Sequence, residues 1–344
     1  MTNRLNFNMN KCFIIAEAGV NHNGDINIAK KLIDEASKCG ADAIKFQTFK
    51  AKNVISKFSK KLNYQKDYKN DKQSQLHMLK KLELNDDQFH DLAKHSKKRK
   101  IIFSSTPKDI KSIKTLEKIG PQFIKVGSSE INNFEFLTYL AKLKSKIILS
   151  TGMSTLGDIE TAINTLYKNS QKDITLLHCT SEYPCSFENV NLNAMQTIAS
   201  SFQLPVGYSD HTNGIEVSLA AVALGAKVIE KHFTLDKNME GPDHKASLEP
   251  KEFKFLVEGI RNVELSLGSK IKKPTSEERK NVKLIRRGLI YSKTFEKGYI
   301  LKNSDIKIKR PALGLEPKEK KIVVGMEIKQ KVYKDSPVKW ENFK

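Results

Sequence analysis

Along the first 268 residues, short runs of β-branched and aromatic residues alternate with longer stretches whose apolar positions recur every three or four residues. The runs are 12-CFIIAE, 42-DAIKFQT, 101-IIFSS, 122-QFIKV, 146-KIILST, 174-ITLLHC, 204-LPVGYS and 227-KVIEKH. Near-continuous apolar runs of this length are what strands covered on both faces require, and the segments between them have helical periodicity. Residues Ile28–Lys38 and Ile159–Lys168 are two such predicted helices. Alternation of this kind predicts an α/β protein with a parallel sheet. Eight strand–helix units fit a closed (β/α)8 TIM barrel better than an open sheet. The turn after the first run, Gly19-Val20-Asn21-His22-Asn23-Gly24, also lacks the GxGxxG spacing of a doubly wound nucleotide fold.

The pattern then changes. Residues 269–284 are polar, charged and Pro-containing and are expected to form a linker. Beyond them 288-GLIYSK, 299-YILKNSDIKIKRP and 321-KIVVGMEI look like short strands separated by Gly, Asn and Pro. The expected organisation is therefore a barrel over residues 1–268, a linker, and a small β-rich domain over 285–344. The longest irregular stretch, residues 50–75, is Lys- and Asn-rich and is a candidate lid over the barrel mouth or a plain surface insertion.

Composition narrows the function classes. At 344 residues the chain has room for one large domain and one small one. No stretch approaches the roughly 20 apolar residues of a membrane helix, and Met1–Asn10 has no signal-peptide core, so a cytoplasmic protein is expected. Cys12, Cys39, Cys179 and Cys185 show neither a CxxC pair nor zinc spacing, and are expected to be reduced core thiols. The net charge of +21 raises nucleic acid as a partner, but the lysines are dispersed and no basic arm or aromatic interleaving accompanies them. Anionic small molecules suit this field better.

Candidate chemistry lies where the apolar runs end. Glu17 closes the first, Lys45 and Gln47 lie in the second, and the third leads to Ser105, Thr106 and Pro107. Lys125, Ser128 and Glu130 follow the fourth, Ser150 the fifth, His178 and Tyr183 the sixth, Ser209 and His211 the seventh, and His232 ends the eighth. In a barrel all these ends meet at one mouth. Two lysines and several hydroxyls there suit a phosphate and a carboxylate. His211 and His232 on neighbouring strands suit a divalent metal that keeps open positions, Mn²⁺ or Mg²⁺ rather than a closed zinc site. His178, between Leu177 and Cys179, reads as a packing residue, and His22 as a turn residue.

The strings 15-IAEAGVNHNG, 44-IKFQTFKA, 103-FSSTP, 124-IKVGSSE, 147-IILSTGM, 177-LHCTSEYP, 207-GYSDHT, 229-IEKHFTLD and 241-GPDHKASLEP resemble, in order and spacing, the bacterial sialic acid synthase family. The tail, with 307-KIKRP, resembles the antifreeze-like (SAF) domain that follows the barrel in that family. The resemblance implies condensation of phosphoenolpyruvate with an N-acetylated amino sugar and release of phosphate. It further implies that His211 and His232 hold the metal, with Lys45, Thr106, Lys125, Ser128, Ser150 and Ser209 binding phosphoenolpyruvate. Gln47, Glu130, Tyr183 and Asp243 would face the sugar, with Glu17 near the reacting atoms. His211 would thus also be catalytic, and either Glu17 or Glu130 would handle protons. Arg310 would reach the sugar's N-acyl group across a domain-exchanged homodimer. Two departures stand out: Ser128-Ser129-Glu130 replaces the family's Ser-Gly-Glu, and Arg310-Pro311-Ala312-Leu313-Gly314 departs from its Arg-Pro-Gly. The favoured acceptor is N-acetylmannosamine, giving N-acetylneuraminate. The alternative is a 2,4-diacetamido hexose, giving legionaminate or pseudaminate. A Schiff-base aldolase using Lys45 or Lys125 is a remoter alternative.

Overall fold

The structure, a computed structural model, describes residues 11–56, 58–59 and 74–344. It divides into two compact units, Met1–Gly268 and Ser269–Lys344. In the first, eight parallel strands form one sheet: β1 (Phe13–Gly19), β2 (Ala43–Thr48), β3 (Ile102–Pro107), β4 (Phe123–Val126), β5 (Lys146–Ser150), β6 (Ile174–His178), β7 (Val206–Asp210) and β8 (Val228–His232). The strand order β3-β2-β1-β8-β7-β6-β5-β4 curls round until β3 and β4 are neighbours again. There the Ser104 hydroxyl donates to the Phe123 carbonyl at 2.7 Å, closing the seam that the backbone ladder leaves. The barrel expected from the alternation of runs is the fold observed.

Period-two alternation sorts the residues of each strand. Ile14, Ala16 and Ala18 of β1 face outward into the core shared with the surrounding helices. Ile15, Ala43, Phe123, Ile148, Leu177 and Val228 point inward and fill the lower barrel, with Phe13 and Ile102 packed beside them. Two residues further along each strand the same inward face carries Glu17, Lys45, Ser104, Lys125, Ser150 and Glu230. The interior is thus an apolar floor under a polar upper layer. Gly207 is needed where it stands, because a Cβ there would lie 2.2 Å from the Val228 carbonyl oxygen and 2.8 Å from Leu177.

The helices follow the apolar spacing and start at side-chain caps. Ile26–Lys38 is capped by Asp25, whose side chain accepts from the Asn27 amide, and it buries Ala29, Leu32, Ile33 and Ala36 along one stripe. Each such buried Leu or Ile contributes on the order of 2 kcal/mol. Leu156–Lys168 begins earlier than its periodicity alone predicts because Thr155 and Asp158 form a capping box. Between β2 and β3 the chain forms the short helix Ala51–Val54 and then Gln75–Lys81. The candidate lid falls largely on residue 57 and residues 60–73, outside the described residues.

The second unit corrects two expectations. The segment expected as a linker contains a helix, Ser276–Ile285, started by a capping box between Thr275 and Glu278. Its 275-TSEE string is a helix-start signal that a reading by polarity passes over. The expected strand 321-KIVVGMEI instead begins with a helical turn, Lys320–Val323, entered through the 3-10 turn Pro317–Glu319. Only β9 (Gly288–Tyr291) and β10 (Ile306–Lys309) form a ladder, antiparallel, and single bridges join the rest. The unit has its own core, including Leu289, Tyr291, Leu301, Ile306, Val323, Ile328 and Val338. All four cysteines are buried free thiols. Among the described residues, no helix is long and apolar enough to cross a membrane.

Candidate active site

The polar upper layer converges on a buried charge cluster. Lys45 Nζ lies 2.6 Å from Glu17 Oε2 and 3.7 Å from Glu230 Oε2, and donates to Thr106 Oγ1 at 2.8 Å. Lys125 Nζ lies 3.4 Å from Glu230 Oε1 and donates to Ser150 Oγ at 2.6 Å. Ser209 Oγ donates to the same Glu230 oxygen at 2.9 Å. Two ammonium groups, two carboxylates and three hydroxyls are therefore held together without room for bulk water, as each is buried.

The two carboxylates diverge because their neighbours differ. Burial pushes the Glu17 carboxyl up to about 7; Lys45 opposes the shift and Glu230 adds to it. Burial disfavours charge on Glu230 as well, but Lys125 and Lys45 with the Ser209 hydroxyl outweigh it and pull the carboxyl down to about 2. Glu230 is thus the fixed negative charge, while Glu17 can exchange a proton near neutrality.

His211 and His232 lie beside this cluster with ring centroids 5.6 Å apart. His211 Nδ1 donates to the Thr180 carbonyl at 2.6 Å, which leaves Nε2 as the ring's lone-pair nitrogen, 3.5 Å from Ser209 Oγ. Burial pushes His211 down to about 4 and His232 well below its ordinary range, so both rings are neutral near pH 7. The Nδ1 atom of His232 is buried with no hydrogen-bond partner among the described residues. Neutral imidazoles with an oriented tautomer and an orphaned nitrogen fit a divalent metal. Among the described residues, no cluster of three His, Cys, Asp or Glu groups could hold one. A metal on these two rings would keep most of its positions for water or substrate.

Around this centre stands a second ring. Gln47 Nε2 donates to Glu17 Oε1 at 3.4 Å. A Cβ at Gly19, whose φ is +53°, would meet Gln47 and Glu17 at 3.3 Å and Asp243 at 3.6 Å, so the glycine lets these three side chains close over β1. Burial pushes the Asp243 carboxyl up, opposed by Lys108 and Lys45. Ser128 Oγ accepts from the Gly152 amide at 3.0 Å and touches Cys179 Sγ at 3.3 Å. Glu130 is fixed by Asn133 at 2.9 Å and by Ser129 at 3.2 Å, so the serine that replaces a glycine here supplies a hydrogen bond. The Tyr183 ring lies 4.1 Å from that of His211.

The first unit by itself gathers all the candidate residues of the barrel. Arg310 belongs to the second unit, exposed just beyond β10. His178 Nε2 bonds the Val190 carbonyl at 2.8 Å, and His22 Nδ1 accepts from the Gly24 amide at 3.0 Å, as expected of packing and turn residues. Two further residues at this site were not singled out from the sequence. Glu230 lies two positions before His232 on β8, and period-two alternation alone would have placed it on the same inward face. Lys108 follows β3 directly, where no periodicity reaches it.

Comparison with known proteins agrees with this fold. The model of the NeuB family matches residues 32–272, and that of the SAF domain residues 286–344. The chain is 53% identical over 329 residues to an N,N'-diacetyllegionaminic acid synthase of Campylobacter jejuni, covering 95% of this chain and 98% of that one. It is 45% identical to a protein of the same description from Legionella pneumophila, covering 96% and 94%. Among solved structures, the N-acetylneuraminic acid (sialic acid) synthetase of Leptospira borgpetersenii superposes with a TM-score of 0.70 at 37% identity, covering 80% of this chain and 91% of that one. Fold, the polar upper layer of the barrel and these matches along nearly the whole sequence lead to one conclusion: the chain belongs to the NeuB family of sialic and related nonulosonic acid synthases.

Proposed function

We propose that the chain condenses phosphoenolpyruvate with a 2,4-diacetamido-2,4,6-trideoxyhexose and water, giving N,N'-diacetyllegionaminate and phosphate. The observation that carries the reaction is the pair of buried ammonium groups, Lys45 and Lys125, lined by hydroxyls and set beside two neutral imidazoles. The Campylobacter and Legionella relatives carry the choice of acceptor, and they favour the diacetamido sugar over the N-acetylmannosamine preferred on sequence. Both lysines are committed to ion pairs and hydrogen bonds, which argues against an amine attacking a carbonyl as a Schiff-base aldolase requires.

In this reading Lys45, Lys125, Thr106, Ser128, Ser150 and Ser209 hold the carboxylate and phosphate of phosphoenolpyruvate in reacting geometry. His211 and His232 would hold a divalent metal, Mn²⁺ or Mg²⁺, which would supply Lewis acidity toward the sugar's aldehyde oxygen. Gln47, Glu130, Tyr183 and Asp243 orient the open-chain sugar. A carbon–carbon bond forms between C3 of the enol phosphate and the aldehyde carbon. The former aldehyde oxygen takes up a proton as water adds at C2 and gives one up, and the C2 hydroxyl so formed passes its remaining proton to the leaving phosphate as the C2–O bond breaks. Glu17, paired with Lys45 and with its carboxyl pushed up to about 7, takes the proton of that water. Arg310 is assigned to the sugar's N-acyl group in a partner subunit, within a homodimer. We place the enzyme in the cytoplasm.

The test is phosphate release from phosphoenolpyruvate with Mn²⁺, comparing the diacetamido sugar with N-acetylmannosamine, each with and without chelator. Chelator-sensitive release with the diacetamido sugar is the expected result. Release with N-acetylmannosamine alone would move the product to N-acetylneuraminate, and chelator-resistant release would remove the metal from the mechanism.

A further inference from the structure

Lys108 is a third lysine at the mouth, and nothing in the mechanism above uses it. It stands between Pro107, which ends β3, and Asp109, which caps the helix Ile110–Ile119. Its amide donates to the Thr48 carbonyl at 3.1 Å, so its backbone is tied to the end of β2. Its side chain is half-buried, with Nζ 5.8 Å from the centroid of the Phe49 ring. Among the described residues, no hydrogen bond or ion pair reaches that ammonium. The charged groups that act on it are Asp243, Glu17, Lys45 and Glu130; burial pulls it toward neutrality and the three carboxylates pull it back.

Among the described residues this half-buried ammonium has a ring face but no acceptor within hydrogen-bond distance, and a bound ligand is a natural partner for its three donors. Two of these carboxylates, Asp243 and Glu130, are assigned above to the sugar side of the site, and the third, Glu17, to the reacting atoms. A group set between a carboxylate and an ammonium must donate to one and accept from the other. Among the groups of an open-chain amino sugar, a hydroxyl does both.

We propose that Lys108 is an acceptor-positioning residue: its ammonium donates a hydrogen bond to a hydroxyl of the sugar that in turn donates one to Asp243. This rests on the synthase reading and names a residue that sets how the acceptor binds. Phe49 holds the ammonium over its ring face until the sugar arrives, so little ordering is required on binding.

The experiment measures kcat and KM for phosphoenolpyruvate and for the acceptor separately, by phosphate release with Mn²⁺, in the full chain and in Lys108→Met, Lys108→Gln and Lys108→Arg. Melting temperature is followed in each, and Lys108→Gln serves should Lys108→Met fail to fold. Loss of a charge-assisted hydrogen bond is expected to raise KM for the acceptor about tenfold or more. KM for phosphoenolpyruvate should stay unchanged, and Lys108→Arg should restore most of the loss. Unchanged acceptor KM in a folded, active variant overturns the inference, as does a rise confined to phosphoenolpyruvate. A wild-type enzyme that turns over no acceptor fails the synthase reading itself, and the inference with it.

Discussion

Lys231→Met should be among the most destabilising single changes in the barrel. Lys231 and Asp210 have no exposed side-chain surface, and their charged atoms are 3.0 Å apart on the outward faces of β8 and β7. Lys231 also donates to the Thr212 carbonyl at 2.6 Å. Asp210 accepts from Ser218 at 2.6 Å and from the hydroxyl and amide of Thr212 at 2.7 and 2.8 Å. Methionine keeps the apolar stem and removes the ammonium, leaving a buried carboxylate without its counter-charge. Breaking such a pair costs about 3–5 kcal/mol. Three donors still solvate Asp210, which favours the lower end, roughly 3 kcal/mol. For a unit of this size that is a fall in Tm of about 6–12 °C. The assay is urea unfolding followed by fluorescence, for Lys231→Met, Asp210→Asn and the double variant. The double variant should recover much of the loss, because removing both charges leaves neither uncompensated, with a coupling of about 2 kcal/mol. The network also anchors Thr212, the residue after His211, so the single variant should lose activity as well. A single-variant cost below about 1 kcal/mol, or strictly additive costs, would refute the reasoning.

Acid should weaken the fold through two buried histidines. His22 and His244 are both held down to about 4 by burial, against 6.5 when unfolded, so the unfolded chain takes protons first. Stability is complete above about pH 6.5 and is lost as pH falls toward 4, by up to roughly 3 kcal/mol for each ring. His22→Asn, which keeps an acceptor for the Gly24 amide, should flatten the fall in urea midpoint between these pH values; an unaltered slope would count against the assignment. Glu230→Gln leaves Lys45 and Lys125 without their shared counter-charge, so it should lower stability as well as kcat for phosphate release, the latter by about 10²-fold in the folded variant, the scale of losing one preorganised electrostatic group. Undiminished turnover would remove Glu230 from the site. His211→Gln should abolish Mn²⁺ binding, read as free Mn²⁺ by electron paramagnetic resonance, and retained affinity would mean that the metal sits elsewhere.

Much of this protein was legible in its sequence. The eight strands and the barrel followed from the alternation of apolar runs with helical periodicity, since a strand buried on both faces has few ways to be written. Lys45, Lys125, His211 and His232 stood out because a charged or imidazole group within or just beyond an apolar strand has no packing reason to be there. Two local misreadings, the helix at Ser276–Ile285 and the helical turn at Lys320–Val323, arose where polarity and β-branching were weighed above cap chemistry. Other properties belong to the tertiary structure alone. That Glu17 rises to about 7 while Glu230 falls depends on which lysines face each carboxylate across the barrel. The free Nε2 of His211 depends on a carbonyl from another loop, at Thr180. Lys108 gains meaning only beside Phe49 and Asp243, which are distant in sequence. Sequence periodicity fixes which face a residue occupies; the distances that set charge and tautomer are made only when eight strands, far apart along the chain, close on one another.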